Sequence, residues 1–228
     1  MIIDPPLLKI RRRFARPDAA VLAALAGVPT GFIVDAMDGA GALDSRIKPC
    51  SGAQTLLGAA LTCAAGPADN LAVFGALSVA EPGDVVICSA EGYDRTAVTG
   101  DLLLGMLKNR GVTGFVTDGH VRDLAGIRAV GLPCFAGGVT PNSPARNGPG
   151  SVGLPIVVGG VAVAAGDIVA ADEDGVVIVP AARIPQLLAR LPQVKAAEAA
   201  LDARVKAGLT IPDFLRTMIE AGRFEDTD

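Results

Sequence analysis

The alternation of strand-like and helix-like segments between residues 84 and 136 restricts the fold more than any other feature of the chain. Asp84–Ser89, Gly114–Thr117 and Leu132–Ala136 have the apolar composition of short buried strands and are bounded by turn residues. Between them, Thr96–Arg110 and Asp123–Val130 are predicted helices, each followed by a stop glycine. Strands that are joined through helices pair in parallel, because the helix returns the chain to the same end of the sheet. The sequence therefore predicts a β-α-β-α-β crossover unit in the middle of the fold.

Signals on both sides of this unit add further strands and helices. The predicted elements outside the unit, in chain order, are an N-terminal arm over residues 1–16, short helices beginning at Pro17-Asp18 and at Pro29-Thr30, a loop over 40–51, a buried strand over Thr55–Ala65, a helix over Asp69–Leu77, a loop over 137–153, strands over Pro155–Val161, Val163–Val169 and Gly175–Val179, and C-terminal helices over Ala181–Ala207 and Ile211–Gly222. Close turns between the last three strands predict an antiparallel meander. Since no repeat or linker divides the chain, we expect residues 1–228 to form one α+β domain with mixed strands stacked in layers.

Composition narrows the classes of partner that the chain can have. Half of its 228 residues are hydrophobic and 19% are charged, so we expect a sizeable core rather than disorder. The net charge is −4 and Arg11-Arg12-Arg13 is the only basic cluster, which we interpret as a solvated segment or a subunit contact. Nucleic acid is therefore not an expected partner. No apolar run has the length and flanks of a membrane span, and the N-terminus lacks the layout of a signal peptide.

The cysteines give an expectation about the redox compartment. Cys63, Cys88 and Cys134 lie in apolar strand-like runs, and Cys50 is distant from all three. With no CxxC spacing, small buried hydrophobic residues are a better interpretation than disulfides or a zinc site. A reducing, cytoplasmic location is therefore expected.

A glycine turn at the start of a helix is the first candidate for a ligand site. In the run Val98-Thr99-Gly100-Asp101-Leu102-Leu103, Gly100 allows a ligand to approach the backbone closely. The free amides of the first helical turn would then favour a carboxylate or phosphate. Asp101 has two interpretations, since it either caps the helix or accepts hydrogen bonds from metal-bound water. The run matches neither a GxGxxG nor a Walker motif, so nucleotide binding is not predicted.

A cation and an anion stand side by side after the next predicted strand. Arg122 would bind the carboxylate of a 2-oxo acid through two hydrogen bonds, and Asp123 would be an oxygen ligand for Mg²⁺ or Mn²⁺. The structural alternative is a helix-capping aspartate beside a surface arginine. His120, the only histidine, cannot build a zinc site alone and is either a proton shuttle near Arg122 or a structural residue. No lysine is near these motifs in sequence, which disfavours a Schiff-base aldolase.

Four segments together resemble a known family. They are GDLLL (100–104), TDGHVRD (117–123), GLPCFAGGVTP (131–141) and LPIVVGGVAVAAGDIVAADEDGVVIVP (154–180). They are similar to the RraA-like family, which includes class II, metal-dependent 4-hydroxy-4-methyl-2-oxoglutarate aldolases, over roughly residues 20–182. The resemblance implies a layered β/β/α sandwich like the swivelling phosphohistidine domain, assembled as a homotrimer or hexamer.

The resemblance also implies roles for individual residues. In aldolase members, the backbone of the loop that matches Gly100, Asp101, Leu102 and Leu103 contacts the substrate. The arginine that matches Arg122 binds the pyruvyl group. The aspartate that matches Asp123 anchors the metal, with Mg²⁺ expected first and Mn²⁺ second, and the one that matches Asp101 holds metal-bound water.

One departure from the aldolase pattern affects the predicted reaction. Aldolase-type members often carry an acidic residue three positions after the metal aspartate, where this chain has Gly126. Glu198 from the C-terminal helix of a neighbouring subunit is a candidate replacement. Two functions follow: a metal-dependent lyase that releases pyruvate from a small 2-oxo acid by retro-aldol cleavage or oxaloacetate decarboxylation, or a non-catalytic regulator that binds a ribonuclease or another protein.

Overall fold

The computed structural model describes residues 6–52 and 54–227. The helices are α1 (Ala19–Leu25), α2 (Thr30–Ala36), α3 (Leu71–Ala76), α4 (Asp101–Asn109), α5 (Leu124–Val130), α6 (Ile184–Lys206) and α7 (Asp213–Glu220), with a 3-10 turn over Ala181–Arg183. The strands are β1 (Leu8–Ile10), β2 (Lys48–Pro49), β3 (Leu56–Ala64), β4 (Asp84–Ser89), β5 (Ala97–Thr99), β6 (Gly114–Thr117), β7 (His120–Val121), β8 (Cys134–Ala136), β9 (Gly138–Val139), β10 (Gly150–Val152), β11 (Ile156–Val158), β12 (Val161–Val163), β13 (Ile168–Asp172) and β14 (Gly175–Val179).

The predicted crossover unit is confirmed as the centre of a mixed sheet. β4 pairs in parallel with β6, and β6 in parallel with β8. β3 extends the parallel set on the other side of β4, and its opposite edge receives β10 and β13 in antiparallel pairing. The carboxyl ends of four parallel strands therefore lie at one edge of the sheet, where loops commonly carry function.

Side chains alternate between the two faces of this sheet and bury a different layer on each. On β4, Val86 and Cys88 pack against α3, α4 and α5, while Val85 and Ile87 face the β11–β12 hairpin. Phe115 and Phe135 are wholly buried, which stabilises the fold by about 1.5–3 kcal/mol for each side chain. The layered β/β/α arrangement is thus confirmed. A third cluster joins α1, α2 and α6 to the outer face of β13 and β14.

The structure corrects the sequence interpretation in several loops and at one helix start. Residues 97–99 form β5 and not the beginning of a helix, because Gly100 is extended (φ −143°, ψ −170°) and α4 begins only at Asp101. Part of the predicted N-terminal arm is an edge strand, since β1 pairs in parallel with β10. The predicted loops over 40–51 and 137–153 contain β2, β9 and β10, which are too short and polar to stand out by periodicity.

The predicted antiparallel meander is two separate hairpins. β11 and β12 form a sheet of their own, whereas β13 and β14 join the large sheet through β3. The acidic turn over residues 172–175 connects β13 to β14 and has a structural role. The Asp172 carboxylate accepts hydrogen bonds from the backbone amide and hydroxyl of Thr30, at 2.8 and 2.7 Å, and so fixes the start of α2.

Over residues 6–52 and 54–227, no single helix is long and apolar enough to cross a membrane. The helices α1 and α2 would together meet that criterion, but they meet at an angle of 109°. Their apolar residues Leu25, Ile33 and Ala36 are buried in the third core cluster.

Candidate functional site

Pairing between β5 and β7 brings the two candidate motifs together. The strands run in parallel, with Thr99 opposite Val121, and the backbone amide of Arg122 donates to the carbonyl of Thr99 at 3.1 Å. The residues that follow each strand are Gly100 in one and Arg122 and Asp123 in the other. They therefore emerge side by side at the same edge, although about twenty residues separate them in the chain.

The Asp123 carboxylate lies against Gly100. Its Oδ2 is 3.2 Å from Nε of Arg122, whose Nη1 donates to the hydroxyl of Ser143. A Cβ atom at position 100 would overlap Oδ2 of Asp123 and lie 3.2 Å from Cγ of Arg122. Glycine at this position thus makes the space in which the ion pair sits.

The capping alternative for Asp123 is only partly correct. Asp123 does occupy the N-cap position of α5, but its side chain makes no capping hydrogen bond. Its backbone is left-handed (φ 60°, ψ 44°), a conformation that costs a non-glycine residue roughly 1–3 kcal/mol and is often found at functional sites. The carboxylate is thereby turned away from the helix amides and toward Gly100 and Arg122.

Asp101 is the first residue of α4, and its carboxylate packs on α5. Its Oδ1 accepts a hydrogen bond from the backbone amide of Leu102 at 2.7 Å. A Cβ atom at Gly126 would overlap this carboxylate and lie 2.6 Å from Cβ and 2.7 Å from Cγ of Asp101. In this chain Asp101 thus occupies the space that a side chain at position 126 would enter, so a larger residue there would require the Asp101 side chain to shift.

All the predicted site residues line one pocket of about 300 Å³. They are Gly100, Asp101, Leu102, Leu103, Arg122 and Asp123. Four further residues that the sequence interpretation missed complete its polar and aromatic wall: Asn70, Phe74, Ser143 and Arg146. The pocket has the size expected for a small ligand.

Asn70 brings an unsatisfied hydrogen-bond acceptor to the pocket, and Arg146 brings a second cation. Oδ1 of Asn70 is buried and has no hydrogen-bond partner within residues 6–52 and 54–227. The guanidinium of Arg146 lies 4.8 Å from the centre of the Phe74 ring, at cation–π distance. Asn70 lies at the start of the helix predicted over residues 69–77, but nothing in that signal pointed to a ligand site, and Arg146 comes from a loop without a recognisable motif.

The pocket's donor atoms fit a hard divalent cation. Asp101 and Asp123 offer carboxylate oxygens, and Asn70 and Ser143 offer neutral ones. Such all-oxygen sets suit Mg²⁺ or Mn²⁺. In the described part of the chain no three His, Cys, Asp or Glu side chains converge as a metal cage. The two carboxylates would leave the other coordination positions of a bound cation to water and substrate.

His120 belongs to a different pocket, so the structure separates it from Arg122's site. It lines a pocket of about 430 Å³ together with Arg46 and Asp118. Burial raises the pKa of Asp118, while the Arg46 guanidinium lowers the pKa of Asp44 to about 2. Oδ1 of Asp118 accepts a hydrogen bond from the amide of Ala90 at 2.7 Å, and Arg46 is paired with Asp44. Asp118 and Arg46 therefore already have partners within the chain.

Glu198 is exposed on α6 and does not line the pocket of its own chain. Several large apolar side chains of the C-terminal helices and of the segment between them are also exposed: Leu201, Val205, Ile211, Phe214 and Ile219.

A family model described as RraA-like, Aldolase/RraA, matches residues 30–178, which is more than half of the chain. The chain belongs to the RraA-like family. A protein of Halalkalibacterium halodurans, whose name proposes a 4-hydroxy-4-methyl-2-oxoglutarate aldolase, is 36% identical over 193 residues, covering 84% of this chain and 92% of that protein. The family resemblance expected from the four sequence segments is thereby confirmed.

Solved RraA-like structures share the fold. RraAS2 of Streptomyces coelicolor, described as an unusual member of the RNase ES inhibitor RraA family, aligns with a TM-score of 0.74 and 27% identity over 83% of this chain and 100% of that one. The RNA-processing inhibitor RraA of Thermus thermophilis aligns with a TM-score of 0.62 and 31% identity over 67% of this chain and 93% of that one.

Proposed function

We propose that this RraA-like protein is a divalent-metal-dependent lyase that releases pyruvate from a small 2-oxo acid. The reactions are retro-aldol cleavage of 4-hydroxy-4-methyl-2-oxoglutarate or a related acid, and decarboxylation of oxaloacetate. One observation carries the proposal: the Gly100–Leu103 turn and the Arg122–Asp123 pair share one pocket, with the Asp123 carboxylate packed against Gly100. The name of the H. halodurans relative, which covers most of the chain, supports the aldolase reaction.

Each reaction breaks the C3–C4 bond and leaves the electron pair on the pyruvyl fragment as an enolate. Arg122 would bind the C1 carboxylate and stabilise the negative charge that develops on the enolate oxygen. The amides at the start of α4 would orient the same end of the substrate. Asp101 would accept the C4 hydroxyl proton in the retro-aldol reaction and then return a proton to C3, giving pyruvate. In the decarboxylation no proton is abstracted: CO₂ leaves, and the proton that C3 gains comes from solvent water through Asp101.

Asp123, with Asp101 beside it, would hold Mg²⁺ or Mn²⁺. A bound cation would supply Lewis-acid polarisation of the 2-oxo group.

Arg146 supports a substrate with two carboxylates. It stands with Phe74 in the wall of the pocket that also contains Arg122, so the pocket presents two guanidinium groups. We propose that Arg122 binds the C1 carboxylate and Arg146 the distal one, since guanidinium groups bind carboxylates through paired hydrogen bonds.

A second copy of the chain would complete the site. The exposed apolar residues of α6 and α7 need a covering surface, and Glu198 lies on α6. We propose a homotrimer or hexamer in which these helices pack over a neighbour's pocket and Glu198 supplies the carboxylate that Gly126 cannot. Assembly would thus be needed for full activity.

The direct test is release of pyruvate from oxaloacetate in the presence of Mg²⁺. We expect Asp123→Ala to lower kcat/KM by about 10²-fold or more, and EDTA to remove the activity until Mg²⁺ or Mn²⁺ is restored. Equal rates for the wild type and Asp123→Ala would show that the assigned site is wrong.

A non-catalytic regulator is the second candidate, favoured by the inhibitor descriptions of the two aligned RraA structures. Capture of a ribonuclease, together with no turnover of any 2-oxo acid, would support this alternative over the lyase.

A further inference from the structure

Asp69 joins two chain segments that each contribute a residue to the candidate site, although Asp69 does not line the pocket itself. Its side chain is buried, with 7% of its surface exposed. Oδ1 accepts a hydrogen bond from the amide of Leu71 at 2.8 Å, at the start of α3. Oδ2 accepts from the amides of Asn147 and Gly148, at 2.6 and 3.1 Å. One carboxylate therefore satisfies three backbone donors from segments about 77 residues apart.

Backbone hydrogen bonds continue the same junction. The amide of Asn70 donates to the carbonyl of Ala145 at 3.0 Å, and the amide of Ala145 donates to the carbonyl of Ala68 at 2.7 Å. The residues that project from this junction into the pocket are Asn70 and Arg146. Asn70 directly follows Asp69 in the chain. Arg146 lies between Ala145 and Asn147, whose backbone groups are both held by hydrogen bonds of this junction.

We propose that Asp69 is a positioning residue that fixes Arg146 for the distal carboxylate of the substrate. This inference rests on the proposed function, in which Arg122 binds the proximal carboxylate. Arg146 is exposed, and within residues 6–52 and 54–227 its guanidinium stacks on the Phe74 ring without an ion pair, so its backbone must be held for its guanidinium to stay at the pocket. A buried carboxylate holds the loop well, because hydrogen bonds to an ionised acceptor are stronger than neutral ones.

Asp69→Asn tests the proposal with little change in shape. The amide nitrogen of Asn cannot accept a hydrogen bond, so one side of the junction loses its acceptor and meets a donor instead. The matched control is Asp167→Asn. Asp167 is equally buried and also joins two loops, accepting from the amides of Ala164 and Ala181 at 2.8 and 2.9 Å, but neither of these loops contributes a residue to the pocket.

The first readout is calorimetric binding of pyruvate and of 2-oxoglutarate, in the presence of Mg²⁺. We expect Asp69→Asn to raise the Kd of the dicarboxylate about tenfold or more, and that of pyruvate by less than about twofold, because only the distal carboxylate depends on Arg146. For oxaloacetate turnover, KM should rise while kcat stays within about twofold. Asp167→Asn should leave both Kd values unchanged. Equal weakening of both ligands, or no weakening, would overturn the proposal.

The second readout is deuterium exchange of the peptide over residues 143–149. Asp69→Asn should accelerate its exchange and Asp167→Asn should not. If the wild type binds neither ligand, the proposed function fails, and unchanged exchange would then separately overturn the role of Asp69 in holding this loop. Asp69→Glu, which keeps both acceptor oxygens on a longer stem, is the milder variant should Asp69→Asn not fold; it should shift the dicarboxylate Kd and the exchange rate in the same direction by a smaller factor, and no shift in either would overturn the proposal.

Discussion

Replacing Gly100 with alanine should separate activity from stability. The backbone at Gly100 is extended, so alanine introduces no backbone strain there. Its Cβ would, however, overlap the Asp123 carboxylate and crowd Cγ of Arg122 at 3.2 Å. The side chains of Arg122 and Asp123 are 35% and 44% exposed, so both have room to move outward.

The expected size of each effect follows from this geometry. An ion pair that is this exposed contributes about 0–1 kcal/mol to the free energy of unfolding. For a chain of this length, a loss of about 1 kcal/mol lowers Tm by about 2–4 °C. A shift of about 1 Å in the guanidinium or carboxylate can lower the rate by about 10²-fold. Gly100→Ala should therefore remain folded and lose most of its activity.

Gly105→Ala is the matched control on the same helix. Its Cβ would have only Val130 Cγ2 nearby, at 3.9 Å, which is ordinary contact. Alanine in a helix interior is favoured over glycine by about 1 kcal/mol, so Tm should rise while activity is kept. The assays are kcat/KM for oxaloacetate and calorimetric Tm. A Gly100→Ala protein with wild-type kcat/KM would refute the claim that the Arg122–Asp123 pair must stay packed against this turn.

Two further predictions concern the rest of the site. Gly126→Ala should displace the Asp101 carboxylate and lower kcat by about tenfold or more. Its Tm should change by less than about 4 °C, because the higher helix propensity of alanine offsets the crowding. An unchanged kcat would show that Asp101 does not take part in the proton transfer. Phe214→Asp should reduce the oligomer to smaller species in light scattering and lower activity with it, since Phe214 is 74% exposed in the single chain. Glu220→Ala on the same helix should change neither, and a wild-type monomer with full activity would contradict the proposed assembly.

Much of the site could be predicted because its residues are adjacent to strong local signals. Gly100 and Asp101 stand at a strand-to-helix turn, and Arg122 and Asp123 follow a buried strand, so their chemistry and approximate place could be read from the sequence. Asn70 and Arg146 could not be predicted in the same way. Their loops acquire a fixed position only through the Asp69 junction, which connects segments that no local pattern relates.

Local periodicity failed where pairing partners decide the structure. Ala97–Thr99 was predicted as helix, yet it is a strand because β7 pairs with it. Likewise Gly150–Val152 lies in a segment rich in turn residues and becomes a strand only between β1 and β3. Short strands gain most of their stability from neighbours, so three-residue elements carry too little sequence signal to be identified alone.

The amino-acid sequence by itself determined the parallel crossover unit and the buried cysteines Cys63, Cys88 and Cys134, and it identified Gly100, Asp101, Arg122 and Asp123 as candidate site residues, because each of these signals depends on neighbours within a few residues. Only the tertiary structure decided that His120 faces a different pocket, that Asp101 fills the space at Gly126, and that Arg146 joins Arg122 in one cavity. These are contacts between distant segments. Their free energy is gained only when the whole sheet brings the strand ends to a common edge.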